Sequence, residues 1–203
     1  LAKQERADRT RTAILDAAAK VFDDHGFNGA TLSDILQHAN VTKGALYFHF
    51  QSKKQIAHAL IDEQFAVWQP LSGLPDIGLQ TVIDLTHAMA RRLREDVRVR
   101  ASIRLVIEQG TFADPTPKAY LQWISVVESC LVRAQTKGDL AEGLDTNEVA
   151  TYIIGSFTGV QTSSEVLAQR TDITERVTTM WRIVLPGLVP PRRRARFNPE
   201  GSA

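Results

Sequence analysis

Residues 41–50, VTKGALYFHF, set a lysine, a tyrosine and a histidine into one short run. Leu46 and Phe50 are four positions apart, so on a helix they share the face that packs on neighbouring helices. Lys43, Ala45, Tyr47 and His49 are then left to reach outward. A basic side chain at a helix start suits a guanine edge in the DNA major groove, so Lys43 is the candidate base reader. Tyr47 and His49 suit phosphate oxygens, contacts that fix register without reading sequence. Gly44 lets backbone approach backbone or phosphate closely. Thr31, Thr42 and Lys53 stand at the starts of three helices, where free backbone N–H groups favour phosphate. Plainer readings stay open beside these. Tyr47 could roof a small core, His49 could be a solvated surface histidine, and Thr31 could cap its helix and do nothing else. Lys3, Arg6, Arg9 and Arg11 read either as an arm towards the minor groove or as solvated charge.

Other chemistries find little support. There is no Gly-x-Ser-x-Gly, no phosphate-cradling glycine loop and no His-Glu-x-x-His. The five histidines are scattered, and the single cysteine, Cys130, makes neither a thiolate zinc site nor an internal disulfide. No catalytic residue, metal or cofactor is expected. Carboxylate pairs such as Asp23-Asp24 read as a solvated helix end. With 203 residues, 43% of them hydrophobic, the chain can bury one or two small cores. A net charge of +1 does not by itself demand nucleic acid. The stretch LAKQERADRT lacks an apolar signal core, and the apolar stretches fall short of the roughly 18 residues a membrane span needs. A soluble, cytoplasmic protein with no membrane partner is the expectation.

These side chains must be held by helices. Ile14, Ala17, Ala18, Val21 and Phe22 recur at three- and four-residue steps, one buried helical stripe, with Gly26 as its stop. Thr31 caps a second helix with Asp34 in its first turn, and Asn40 ends it. Thr42 caps a third over about 43–50. Ser52 with Gln55 opens a fourth through Ile56, Leu60, Ile61, Gln64, Phe65 and Trp68. Two short helices joined by a tight turn at Asn40-Val41 have the helix-turn-helix layout, in which the second helix enters the major groove. Pro70–Gly78 reads as a loop. Helical patterning resumes over about 79–94, 97–110, 117–137, 146–168 and 172–186, with breaks at 114–117 and 138–143. The tail after Pro186 reads as irregular, and its run Arg192, Arg193, Arg194 and Arg196 as solvated surface.

The identities within this frame resemble a known family. Val41–Phe50 is similar to the recognition helix of the tetracycline-repressor (TetR) family. Leu15-Asp16-Ala17-Ala18, Phe22, Gly26-Phe27 and Thr31-Leu32-Ser33-Asp34-Ile35 fall at that family's matching positions. The resemblance implies an all-α homodimer. Its N-terminal three-helix helix-turn-helix domain would span 1–55, and its C-terminal helical ligand-binding and dimerisation domain 56–203. Further stretches resemble the γ-butyrolactone autoregulator receptors of actinomycetes. They are Val99–Leu105, Trp123 after Pro117, Phe157–Gln161 and Leu185–Leu188.

By that resemblance the chain would be a repressor that binds a near-palindromic double-stranded operator as a dimer and leaves it on binding a small lactone-like signal. A pocket of this kind is mostly apolar with a few placed polar groups. Gln64 interrupts an apolar stripe, Thr158 sits among Ile154, Phe157, Gln161 and Thr162, and Trp123 matches a tryptophan of the receptors' pocket and carries an indole N–H that needs a partner if buried; these three are the candidate ligand contacts, against interior packing or a satisfied interior hydrogen bond. The helices over 146–168 and 172–186 are the implied dimer elements. Gly155 and Gly159 permit close approach either at the dimer seam or beside the cavity. Two other functions stay open: a pseudo-receptor that answers to an antibiotic or another ligand, and a helical binding module that does not bind DNA.

Overall fold

The computed structural model describes residues 2–63, 77–113 and 117–202. Gln64, Phe65, Trp68 and most of the expected loop over 70–78 lie outside them. Among the described residues there are α-helices and 3₁₀ turns and no strand. The helices are α1 (Ala2–Gly29), α2 (Leu32–Ala39), α3 (Lys43–His49), α4 (Lys53–Glu63), α5 (Leu79–Glu95), α6 (Val97–Glu108), α7 (Lys118–Thr136), α8 (Thr146–Ala168) and α9 (Ile173–Leu188). Short 3₁₀ turns follow at Gln109–Thr111 and Pro191–Arg196. No helix among the described residues is long and apolar enough to cross a membrane.

The chain divides into two compact units. Among the described residues the first takes 2–63 and 96–113, and the second 77–95 and 117–202. Compact packing in the first unit therefore extends past residue 55 to take in α4 and α6. Its core joins Ile14, Leu15, Ala18 and Phe22 of α1 to Ile35, Leu46, Ile56, Leu60 and Leu105, all buried. α6 is tied along α1 and α4 by charge: Arg98 reaches Asp16 at 2.7 Å and Glu63 at 2.8 Å, and Arg100 reaches Asp23 at 2.8 Å.

Gly26 is more than a stop. It takes φ 67° and ψ −177° inside α1, so the helix breaks there and one further turn forms before Ala30. The break turns the Phe27 N–H towards Glu108 of α6, whose Oε2 accepts it at 2.8 Å. Phe112 stacks on Phe27 with ring centroids 3.9 Å apart. The C-terminal end of α6 thus grips the segment that feeds the helix-turn-helix.

In the second unit Leu79, Val82, Ile83 and Leu93 of α5 are buried, as are Trp123, Val127 and Leu131 of α7, Ile153 of α8, and Val177 and Trp181 of α9. α9 runs two residues past Pro186. Proline removes its own N–H bond and crowds the carbonyl one turn back, but the bonds beyond it can still form, and Val189 donates to the Leu185 carbonyl at 2.9 Å.

The C-terminal tail corrects the expectation of an irregular end: Arg192, Arg194 and Arg196 are exposed, as expected, but the run forms an ordered 3₁₀ turn with fixed partners. Arg193 and Arg196 reach the buried Asp139 at 2.6 and 3.0 Å. Arg194 donates to the Pro186 and Val189 carbonyls at 2.7 and 3.1 Å. Beyond the turn the chain lies along α5: Gln80 accepts from the Asn198 N–H at 2.9 Å, Asp84 accepts from Ser202 at 2.7 Å, and His87 Nε2 lies 2.9 Å from the Pro199 carbonyl. Charge-assisted bonds of this kind contribute about 1.5–3 kcal/mol. Asp139→Asn is accordingly expected to lower the unfolding free energy by about 2 kcal/mol in urea melts, and an unchanged midpoint would show the arginine clasp to be idle.

Candidate nucleic-acid interface

α2 starts where Thr31 and Asp34 cap one another. The Thr31 hydroxyl accepts the Asp34 N–H at 3.1 Å, and Asp34 Oδ2 accepts the Thr31 N–H at 3.1 Å and its hydroxyl at 2.7 Å. The Thr31 hydroxyl bond holds the Asp34 carboxyl below the ordinary aspartate range, with the Thr31 N–H adding to it. Asn40 then takes the left-handed conformation at φ 51° and ends the helix. An asparagine tolerates this region better than most residues, and it lets the chain turn within three residues.

Thr42 caps α3 by accepting the Ala45 N–H at 3.2 Å. At the other end the Phe50 N–H bonds the Leu46 carbonyl at 2.9 Å. Leu46 and Phe50 are buried, as their spacing requires. Thr42, Lys43, Gly44 and Tyr47 are exposed, and Ala45 and His49 are half-buried. The Lys43 ammonium lies 5.9 Å from the centre of the Tyr47 ring, so the cation and the phenol form one patch.

One feature differs from the sequence expectation. Lys53 turns inward. Its ammonium donates to the Phe27 and Ala30 carbonyls at 2.6 and 2.7 Å and sits 4.3 Å above the Phe27 ring. Burial lowers its pKa. The side chain closes the end of α1. The N-terminal basic residues are carried on a helix, where two of them stand as solvated charge. α1 is helical from Ala2, with Arg6 and Arg9 exposed on it. Arg11 lies 3.5 Å from Glu63 and 5.5 Å from the Phe50 ring centre.

Sequence reasoning missed Phe48, which is 76% exposed. Helical spacing was the signal that could have found it. Two residues advance an α-helix by about 200°, so the neighbours at two positions from a buried residue point away from the core. From Leu46 those are Gly44 and Phe48.

The candidate ligand contacts belong to the second unit where they are described. Trp123 of α7 is buried, and its indole Nε1 has no hydrogen-bond partner among the described residues. Trp181 shows the contrast: its Nε1 donates to Thr86 Oγ1 at 2.8 Å, and Thr86 in turn donates to the Ile83 carbonyl at 2.7 Å. Thr158 of α8 gives its hydroxyl proton to the Ile154 carbonyl at 2.8 Å, which leaves it an acceptor. α7 and α8 pack against each other. Gln64 lies outside the described residues.

Comparison with known proteins gives the same picture. Residues 14–60 match the family "Bacterial regulatory proteins, tetR family", and residues 77–190 match "Tetracyclin repressor-like, C-terminal domain". The A-factor receptor protein of Streptomyces griseus is 41% identical over 99% of this chain and 71% of its own length. CprB of Streptomyces coelicolor, solved in complex with its biological operator sequence, is 34% identical with a TM-score of 0.81, covering 94% of each chain. A γ-butyrolactone receptor described as an ArpA-like protein is 33% identical with a TM-score of 0.79, covering 96% of this chain and 95% of that one. The protein is a DNA-binding transcriptional regulator rather than an enzyme; it belongs to the TetR family, and its relatives include γ-butyrolactone receptors.

Proposed function

We propose that the protein is a cytoplasmic repressor that binds a near-palindromic operator as a homodimer and is released by a small signal of the γ-butyrolactone class. The observation that carries the DNA half is the outer face of α3, where Lys43, Gly44 and Tyr47 are exposed beside the half-buried Ala45 and His49. Lys43 reads a base edge, while Tyr47, His49 and the capped helix starts at Thr31, Thr42 and Lys53 take phosphates.

A dimer is needed so that two copies of α3 meet half-sites a whole number of helical turns apart. Its seam is α8 with α9. Tyr152 and Val166 of α8 and Ile183 of α9 are exposed, and a Cβ added at Gly155 or Gly159 would meet nothing within 4 Å. That open side favours the seam over the cavity as the role of the two glycines. The ligand sits against Trp123 and Thr158 of the second unit. The unmatched Trp123 N–H supports a ligand with a carbonyl or hydroxyl oxygen, which a lactone has. Ligand binds a geometry in which the recognition helices are wrongly spaced, and so draws the population off DNA.

The deciding measurement is a gel shift on genomic fragments with salt titration, followed by addition of alkyl γ-butyrolactones of graded chain length. Salt-sensitive binding reversed by a lactone is expected. Release by an antibiotic but by no lactone would make the protein a pseudo-receptor, and absence of DNA binding would make it a binding module. Lys43→Ala and Tyr47→Ala are each expected to weaken operator binding by about 1–3 kcal/mol while the dimer stays folded. Unchanged affinity in both would remove α3 from the interface.

A further inference from the structure

We infer that Phe48 is a specificity-determining residue, one that reads the C5-methyl group of a thymine at the floor of the major groove. The inference rests on α3 being the recognition helix. Within that reading it changes which side chain meets the bases most directly.

The geometry follows from the inner face. Leu46 has no exposure at all, and it fixes the side of α3 that meets the core. At about 100° per residue, Gly44 and Phe48 both lie about 160° from Leu46 and within about 40° of each other. They form the outward pole of the helix. Lys43 and Tyr47 flank that pole on one side, Ala45 and His49 on the other. A helix that enters the groove with its inner face on α1 and α2 presents its pole to the base edges and its flanks to the groove walls.

Gly44 and Phe48, the two residues at the pole, complement each other in size. Gly44 has no side chain, and a Cβ placed there would meet nothing within 4 Å, so the backbone can approach the bases at that end. Phe48, one turn on, projects a whole ring into the space ahead of the helix. Nothing in the first unit covers that ring, which is 76% exposed. It is nevertheless held from one side: the His49 ring meets it edge-on, with centroids 5.0 Å apart and planes at 87°. A phenylalanine has no donor or acceptor for a base edge. The apolar feature that base pairs offer in the major groove is the thymine methyl, and phenylalanine is among the side chains that contact it. The flanking residues suit DNA, so the occupant of the pole is DNA as well.

The test uses the full-length protein and a duplex it selects from a randomised pool. Each thymine of that duplex is replaced singly by deoxyuridine, which removes the methyl and keeps the pairing. For the wild type, one thymine in each half-site is expected to lose about four-fold in affinity on losing its methyl, the size of one buried methyl group. Phe48→Ala should bind the parent duplex at least roughly tenfold more weakly and show no further loss at that deoxyuridine. Phe48→Leu, which keeps an apolar tip, should retain part of the discrimination. Circular dichroism and melting should be unchanged in both variants, since the ring supports no core. A deoxyuridine profile that is identical in wild type and Phe48→Ala, or flat in the wild type, overturns the inference while leaving α3 as the recognition helix. Failure of the wild type to select any duplex overturns both.

Discussion

Gly26→Ala is expected to cost about 3 kcal/mol of stability and to weaken operator binding in the same step. Two independent terms add. The residue sits at φ 67° with ψ −177°, a region that is essentially glycine's own, and a side chain there is strained by about 1–3 kcal/mol. A Cβ would also lie 2.8 Å from an Arg104 nitrogen and 2.8 Å from both Glu108 carboxylate oxygens. Those atoms are not free to swing aside at no cost. Glu108 accepts the Phe27 N–H at 2.8 Å and Arg104 Nε at 2.7 Å, and Arg104 also donates to the Asp23 carbonyl. Moving the carboxylate gives up charge-assisted bonds that contribute about 1.5–3 kcal/mol.

The functional effect follows from where the strain is placed. Residues 27–30 lead directly into the Thr31 cap of α2, and their carbonyls at 27 and 30 hold the Lys53 ammonium. A displaced Glu108 therefore loosens the seat of the recognition helix without touching a DNA contact. Urea melts of Gly26→Ala, Glu108→Ala and the double variant separate the two terms. If the clash matters, the double variant costs less than the two single changes together. A loss below about 1 kcal/mol in Gly26→Ala would show that the Arg104–Glu108 pair relaxes freely, contrary to the strain and bond costs set out above.

Gly26 also shows how far the sequence could be read. Its glycine announced a break, and the break is there, but the partner that makes the break matter lies at Glu108, 81 positions from Phe27. No local pattern reports such a pairing. Local patterns did place the helices: the caps Thr31, Thr42 and Ser52 with Gln55, the left-handed Asn40, and the spans now seen as α5 to α9 all rest on signals within one or two turns. The tail failed for the same long-range reason, since Arg193 finds Asp139 54 positions away and His87 finds Pro199 112 positions away. On α3 the exposed Lys43 and Tyr47 fit the reading, and what it missed was a matter of period. Setting Lys43, Ala45, Tyr47 and His49 outward takes every second residue, which is the spacing of a strand. Helical spacing sends Gly44 and Phe48 outward and leaves Ala45 and His49 half-buried on the flank. Lys53 was read by its position at a helix start, a fact about its backbone, while its side chain was long enough to turn back to α1.

Trp123→Phe is expected to separate stability from signalling. A buried donor without a partner costs about 1–3 kcal/mol, and phenylalanine removes that donor together with part of the ring. The saving and the small void offset each other, so the unfolding free energy should stay within about 1 kcal/mol of the wild type. Operator binding should not change, because the residue lies in the second unit. Lactone-driven release should need at least roughly tenfold more ligand, the price of one hydrogen bond to the lactone oxygen. Trp181→Phe supplies the opposite pattern. Its N–H is met by Thr86 at 2.8 Å, so the substitution strands a buried hydroxyl acceptor and opens a void in a fully buried site. It should lose about 2–4 kcal/mol and keep its ligand response once folded. Both tryptophans are buried, and the unmet donor is what marks Trp123 for a ligand. If Trp123→Phe loses as much stability as Trp181→Phe, or is released by the same lactone concentration as the wild type, the unmet N–H is not a ligand contact and Trp123 belongs to the core alone.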